Sequence, residues 1–145
     1  MTEFVYELKI PKDRLAVLIG KDGITKDTIE GETKTKINVD SKEGDVFIKG
    51  EDALSLYAAR EIVLAIGRGF NPEIAMMLLK QDYVFEKIDV TEFAGKSKEA
   101  LQRLKGRVIG KEGKSRALIE DLTECYISVY GKTISIIGLA ENVPD

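Results

Sequence analysis

A chain of 145 residues is long enough for one ordinary domain or two very small ones. Its hydrophobic fraction of 43% and charged fraction of 32% mark a folded chain rather than a disordered one, and no apolar run approaches the roughly 20 residues of a membrane-spanning helix. With no histidine and one cysteine, zinc sites and the usual nucleophile–base pairs lack material, while a net charge of −3 argues against coating nucleic acid non-specifically but allows a local basic site.

Residues 2–10 alternate and are rich in β-formers, which predicts a strand. Pro11 suits the first turn of a short amphipathic helix reaching residue 18. A glycine-bounded loop from Gly20 to Gly23 follows, then a helix through about residue 32. Residues 36–40 and 45–49 predict a hairpin. Asp52 is placed to cap a helix over residues 53–66 whose apolar stripe is read as Leu54, Ala58, Ile62 and Ile66. Asn71-Pro72-Glu73 is a helix-start signature leading into residues 74–80. Beyond it come a strand at 83–90, a helix near 98–104, a second loop from Gly110 to Gly113, a helix over 114–122 and a hairpin within 126–137.

The second half repeats the first at an offset of 90 residues. Ile19-Gly20-Lys21-Asp22-Gly23 falls on Ile109-Gly110-Lys111-Glu112-Gly113, Ile29-Glu30 on Ile119-Glu120, Thr33 on Thr123 and Ile37 on Ile127. After that the second copy is two residues shorter, a slip that a hairpin turn would absorb. One Gly-x-x-Gly is weak, since 13 glycines in 145 residues yield about one by chance. Two copies of Ile-Gly-Lys-acid-Gly, each between helices and each followed by Ile-Glu six residues beyond its second glycine, are not weak.

Glycine at both ends of such a loop permits backbone angles that other residues avoid and clears Cβ atoms from the approach path. The loop opens onto a helix N-terminus, whose free N–H groups and dipole favour phosphate. Lys21 and Lys111 add positive charge. Asp22 and Glu112 are read chiefly as solvated acids that moderate it. The setting differs between copies. From Arg103 to Arg116, six basic residues, among them Arg107, Lys111, Lys114 and Arg116, face one acid. From Asp13 to Lys26, three face two acids. The second loop is therefore expected to bind nucleic-acid backbone more strongly.

The element order and the twin loops resemble the type I KH domain, and the resemblance covers nearly the whole chain. It implies an α+β fold of two tandem type I KH domains, each β-α-α-β-β-α with a three-stranded antiparallel sheet covered by helices on one face. The domains would be residues 1–70 and 83–145, with a connecting helix over 71–82. The second copy is expected to lack its closing helix in this chain. The resemblance implies about four nucleotides of single-stranded RNA per module, the bases lying against the first helix and second strand. Ile19, Ile37, Ile109 and Ile127 are assigned to that groove or to the core beneath it, the core being favoured. Lys26 and Arg116 stand where KH domains usually carry an aliphatic residue, and both join the candidate RNA contacts.

Those two basic residues, the stretch Gly67-Arg68-Gly69-Phe70 running into Asn71-Pro72, and the short connector narrow the resemblance. They are similar to the archaeal branch of the small-subunit pre-ribosomal RNA-binding KH family. That implies binding near the 3′ end of small-subunit ribosomal RNA, with the endonuclease that forms this end and the alpha subunit of translation initiation factor two as partners. No enzyme activity, cofactor or metal is expected. Gly113-Lys114-Ser115 ends like a phosphate-binding P-loop, but Val108 stands where that motif needs glycine. A KH module of RNA degradation or transcription, and a protein-interaction scaffold, are the alternatives. The lone Cys125 and an N-terminus without a signal pattern point to the cytoplasm.

Overall fold

The computed structural model describes residues 3–89, Ala117, Glu120 and residues 125–141. It divides into two compact units, Met1–Leu79 and Lys80–Asp145.

In the first unit, β1 (Phe4–Lys9) leads through Pro11 into α1 (Lys12–Ile19), a tight turn at Lys21–Gly23 and α2 (Ile24–Thr33). Pro11 sits one residue before the helix, and its carbonyl accepts the Arg14 amide at 2.8 Å. A hairpin of β2 (Lys36–Asp40) and β3 (Asp45–Gly50) follows, then α3 (Ala53–Gly67). The sheet order is β1-β3-β2, antiparallel throughout, so β2 is an edge strand. The pleat turns Leu8, Val46, Ile48 and Ile37 inward, where they meet Leu15 and Leu18 of α1, Ile29 of α2 and the buried face of α3. Each such aliphatic side chain contributes about 1.5–3 kcal/mol on burial.

The buried face of α3 is Leu56, Ala59, Ile62, Val63 and Ile66, and Leu54 is 83% exposed. The stripe read through Leu54 and Ala58 is thus corrected. Successive steps of four residues overshoot a helical turn by about 40° each, so Leu54 lies some 120° from Ile66. Steps of three and four keep Leu56, Ala59, Val63 and Ile66 in line. Asp52 does cap the helix: its carboxylate accepts the Leu54 amide at 3.3 Å and the Ser55 hydroxyl at 2.7 Å.

The connector is α-helical over a shorter span than the sequence predicts. Asn71 accepts the Ile74 amide at 3.1 Å and Pro72 opens the first turn of α4 (Pro72–Ala75), which tightens into a 3-10 turn over Met76–Leu79. Ala75 and Leu78 are buried.

The second unit contains β4 (Tyr83–Asp89), β5 (Tyr126–Tyr130) and β6 (Thr133–Leu139), in the order β4-β6-β5 and antiparallel, which repeats the first sheet. Asp40 pairs Asp45 across four turn residues, whereas Tyr130 pairs Thr133 across two. The two-residue slip therefore lies in the hairpin turn. Cys125 is buried, and a Cβ added at Gly138 would stand 2.5 Å from its sulfur. Ala117 and Glu120 are helical, inside the span predicted for the second copy's second helix. The helix read near residues 98–104, the second loop and the final residues 142–145 lie outside the described residues.

Candidate nucleic-acid interface

The first loop turns on three residues with left-handed φ values. Gly20 takes φ 76°, Asp22 φ 55° and Gly23 φ 76°. The Gly20 amide closes α1 on Ala16 at 2.9 Å, and the Gly23 amide returns to the Gly20 carbonyl at 3.2 Å. The two glycines serve different ends. A Cβ on Gly20 would collide with the Thr25 side chain and lie 2.9 Å from its backbone nitrogen, so that position is closed from within. Nothing lies within 4 Å of a Cβ built on Gly23. That face is open to an approaching backbone, and only the torsion restricts the residue.

Asp22 gains a structural account beside the electrostatic one. Aspartate is among the few side chains that tolerate the left-handed region, through local hydrogen bonding of its short polar group. Lys21 and Asp22 are both exposed. Helix α2 begins at Ile24 with no side chain capping its N-terminus, and the Ile24 amide donates to the Lys21 carbonyl within the turn. Ile24 is 60% exposed directly beside Gly23. The sequence reading passed over it, although an apolar side chain at the first position of a solvent-facing helix was visible as a signal.

Other candidates are placed differently from one another. Ile19 is half-buried, in keeping with a groove wall, whereas Ile37 is 1% exposed and Ile127 9%, both core. Lys26 is turned along α2 toward β2: its Nζ lies 3.3 Å from the Ile37 carbonyl oxygen and 3.6 Å from Glu30 Oε1. Glu30 Oε2 in turn accepts the Ile37 amide at 2.7 Å. The second unit repeats the carboxylate half, Glu120 Oε2 accepting the Ile127 amide at 2.8 Å. This explains the repeated Ile-Glu, to which the sequence alone assigned no role. Arg14, counted among the basic charges of the first window, donates from Nε to Ile66 O and from Nη2 to Phe70 O, each at 2.8 Å. Its charge serves the C-terminal end of α3 rather than the loop.

Gly110, Lys111, Glu112, Gly113, Lys114, Arg116, Arg107 and Ile109 lie outside the described residues. Among the described residues, no group of three or more carboxylate, histidine or cysteine side chains could hold a metal ion, and no helix is long and apolar enough to cross a membrane.

Comparison with known proteins matches this architecture twice. The KH domain family model covers residues 5–65, and the model described as eukaryotic type KH-domain (KH-domain type I) covers residues 84–144. The chain is 47% identical, with a TM-score of 0.91, to a chain in the crystal structure of an a/eIF2alpha–aDim2p–rRNA complex from Pyrococcus horikoshii, covering 98% of this chain and 80% of that one. The chain belongs to the Dim2 family of tandem KH-domain proteins.

Similar sequences include a KH domain-containing protein of Methanocaldococcus jannaschii, 54% identical over 140 residues, and the pre-rRNA-processing protein PNO1 of Chaetomium thermophilum, 30% identical over 148. Each alignment covers 94% of this chain. The chain spans 61% of the length of the first and 55% of the second.

Proposed function

We propose that this Dim2-family protein binds single-stranded RNA near the 3′ end of small-subunit ribosomal RNA during ribosome maturation, as a binder and not a catalyst. The observation that carries the reading is the first loop. Gly23 presents an open face beside the exposed Lys21, and the N-terminus of α2 carries no side-chain cap, so a phosphate lying there would meet one positive charge and the positive end of a helix dipole. The relative crystallised in a complex with rRNA supports RNA as the ligand, and the relative named for pre-rRNA processing supports the pathway.

The second loop is the stronger RNA contact in this proposal, because six basic residues surround it in sequence. The alpha subunit of initiation factor two is included as a partner, since the P. horikoshii complex contains it. The rRNA 3′-end endonuclease and a cytoplasmic location are included on the family resemblance. Crosslinking the protein to RNA in cells and sequencing the bound fragments tests the reading. Enrichment at the 3′ region of small-subunit ribosomal RNA is expected, and enrichment elsewhere would overturn that site while leaving RNA binding intact.

A further inference from the structure

We propose that Lys26 and Glu30 form a clasp over the outer edge of β2 at Ile37, so that the first module holds RNA by its backbone and reads no base at that position. The inference rests on the RNA-binding reading of the first loop.

Edge strands leave a row of unpaired N–H and C=O groups. In the β2–β3 ladder Ile37 stands opposite Ile48, and its amide and carbonyl are bonded away from the ladder, to side chains of α2. A neighbouring donor and acceptor on an open edge would match the Watson–Crick edge of a splayed base, which single-strand RNA recognition reads by hydrogen bonding. Here that pair is already taken. Glu30 Oε2 holds the amide at 2.7 Å and Lys26 Nζ holds the carbonyl at 3.3 Å. The two side chains are joined to each other at 3.6 Å, and both are largely shielded, at 29% and 22% exposed. The Ile37 side chain is locked in the core, so the strand cannot swing out to offer its edge.

The clasp lies where bases would arrive. Lys26 is one turn along α2 from Gly23, and the edge it covers belongs to β2, the strand against which the bases of a chain gripped at the loop are expected to lie. The carboxylate half recurs in the second unit, where Glu120 takes the Ile127 amide. A helical ion pair four residues apart contributes little to stability by itself. What this one changes is which groups the edge can present.

The test uses the full chain carrying Gly113→Asp to silence the second loop, titrated with labelled rA, rC and rU octamers. Affinities are expected to agree within about fivefold, the lower end of what one well-paired base discriminates. Lys26→Met opens the Ile37 carbonyl and should spread the three affinities beyond that range, whereas Lys26→Arg should keep the flat profile. A lysine that merely contacted phosphate would lower all three equally. A spread beyond about fivefold with Lys26 in place, an unchanged spread in Lys26→Met, or a spread in Lys26→Arg as well, would each overturn the clasp. Absence of binding to every octamer, or binding that Gly23→Asp leaves unchanged, would instead overturn RNA binding by the first loop, and the clasp with it.

Discussion

Glu30 accepts the amide of Ile37 seven residues further on, at 2.7 Å, and Glu120 stands in the same relation to Ile127, at 2.8 Å. Each carboxylate satisfies a strand amide that the β ladder leaves unpaired. Removing it exposes a part-buried donor, so Glu30→Ala is expected to destabilise the first unit by about 1–3 kcal/mol. Glu30→Gln keeps an acceptor oxygen and should lose less than half as much. Urea unfolding of the three proteins checks the order, and equal losses for Ala and Gln would remove the amide bond as the cause.

Arg14 joins α1 to the end of α3 through two carbonyls, Ile66 and Phe70. The planar guanidinium reaches both at once, which a lysine ammonium on one stem cannot reproduce. Arg14→Lys should therefore cost about 1–3 kcal/mol of stability despite conserving charge. RNA affinity of the folded variant should stay close to the parent value. A variant that kept its unfolding midpoint but lost affinity would restore Arg14 to the RNA surface.

Much of this was legible in the sequence, and what was not has physical reasons. The repeat located both hairpins and even the two-residue slip between them, because turns absorb indels and strands do not. The loop was legible from its glycines. Charge counting failed at Arg14, since a count cannot tell a surface cation from one that binds carbonyls 52 and 56 residues away. Periodicity failed at Leu54, because α3 is apolar on several sides and only packing against the sheet selects the buried one. Lys26 read as a free basic group for the same reason as Arg14: its partners are backbone atoms of a strand reached only after the chain turns.

The two loop glycines should respond differently to the same change. Gly20→Ala drives a methyl into Thr25 at a positive φ and is expected to unfold or strongly destabilise the first unit. Gly23→Ala meets open space and should cost only the left-handed strain, about 1–2 kcal/mol. Its effect on RNA affinity should exceed its effect on stability, because the methyl stands on the approach face. Thermal unfolding and RNA titration of the pair separate these outcomes, and a Gly23→Ala protein with full affinity would show that nothing lies against that face.

Asp52 makes the cap of α3 sensitive to acid. The Ser55 hydroxyl first, then the Leu54 amide, hold its carboxyl below the ordinary 3.8. A folded-state value below the unfolded one means the cap's contribution is present above the unfolded value and disappears as pH falls through the folded one. Asn caps helices as well as Asp without titrating. The melting-temperature difference between the parent and Asp52→Asn should therefore shift in favour of the variant below about pH 4 and be constant from there to neutrality. A difference that is flat through the acid range would mean that Asp52 titrates alike in the folded and unfolded chain, so that the cap bonds do not favour its charged form.

Unequal loops are the hardest claim to meet by inspection and the simplest by substitution. Lys21→Asp reverses a charge in a window of three basic and two acidic residues, one of whose basic residues, Arg14, faces away, and another, Lys26, is clasped. Lys111→Asp does the same among six basic residues and one acid. Every phosphate that is no longer neutralised should flatten the logarithmic salt dependence by about 0.7 for a single strand. Lys111→Asp is accordingly expected to lower RNA affinity the more, at 50 mM salt and below, with the two curves converging as salt rises and screening removes the charge difference. An equal or larger loss from Lys21→Asp would place the main backbone grip on the first loop, and it would do so although that loop has one uncommitted lysine to offer.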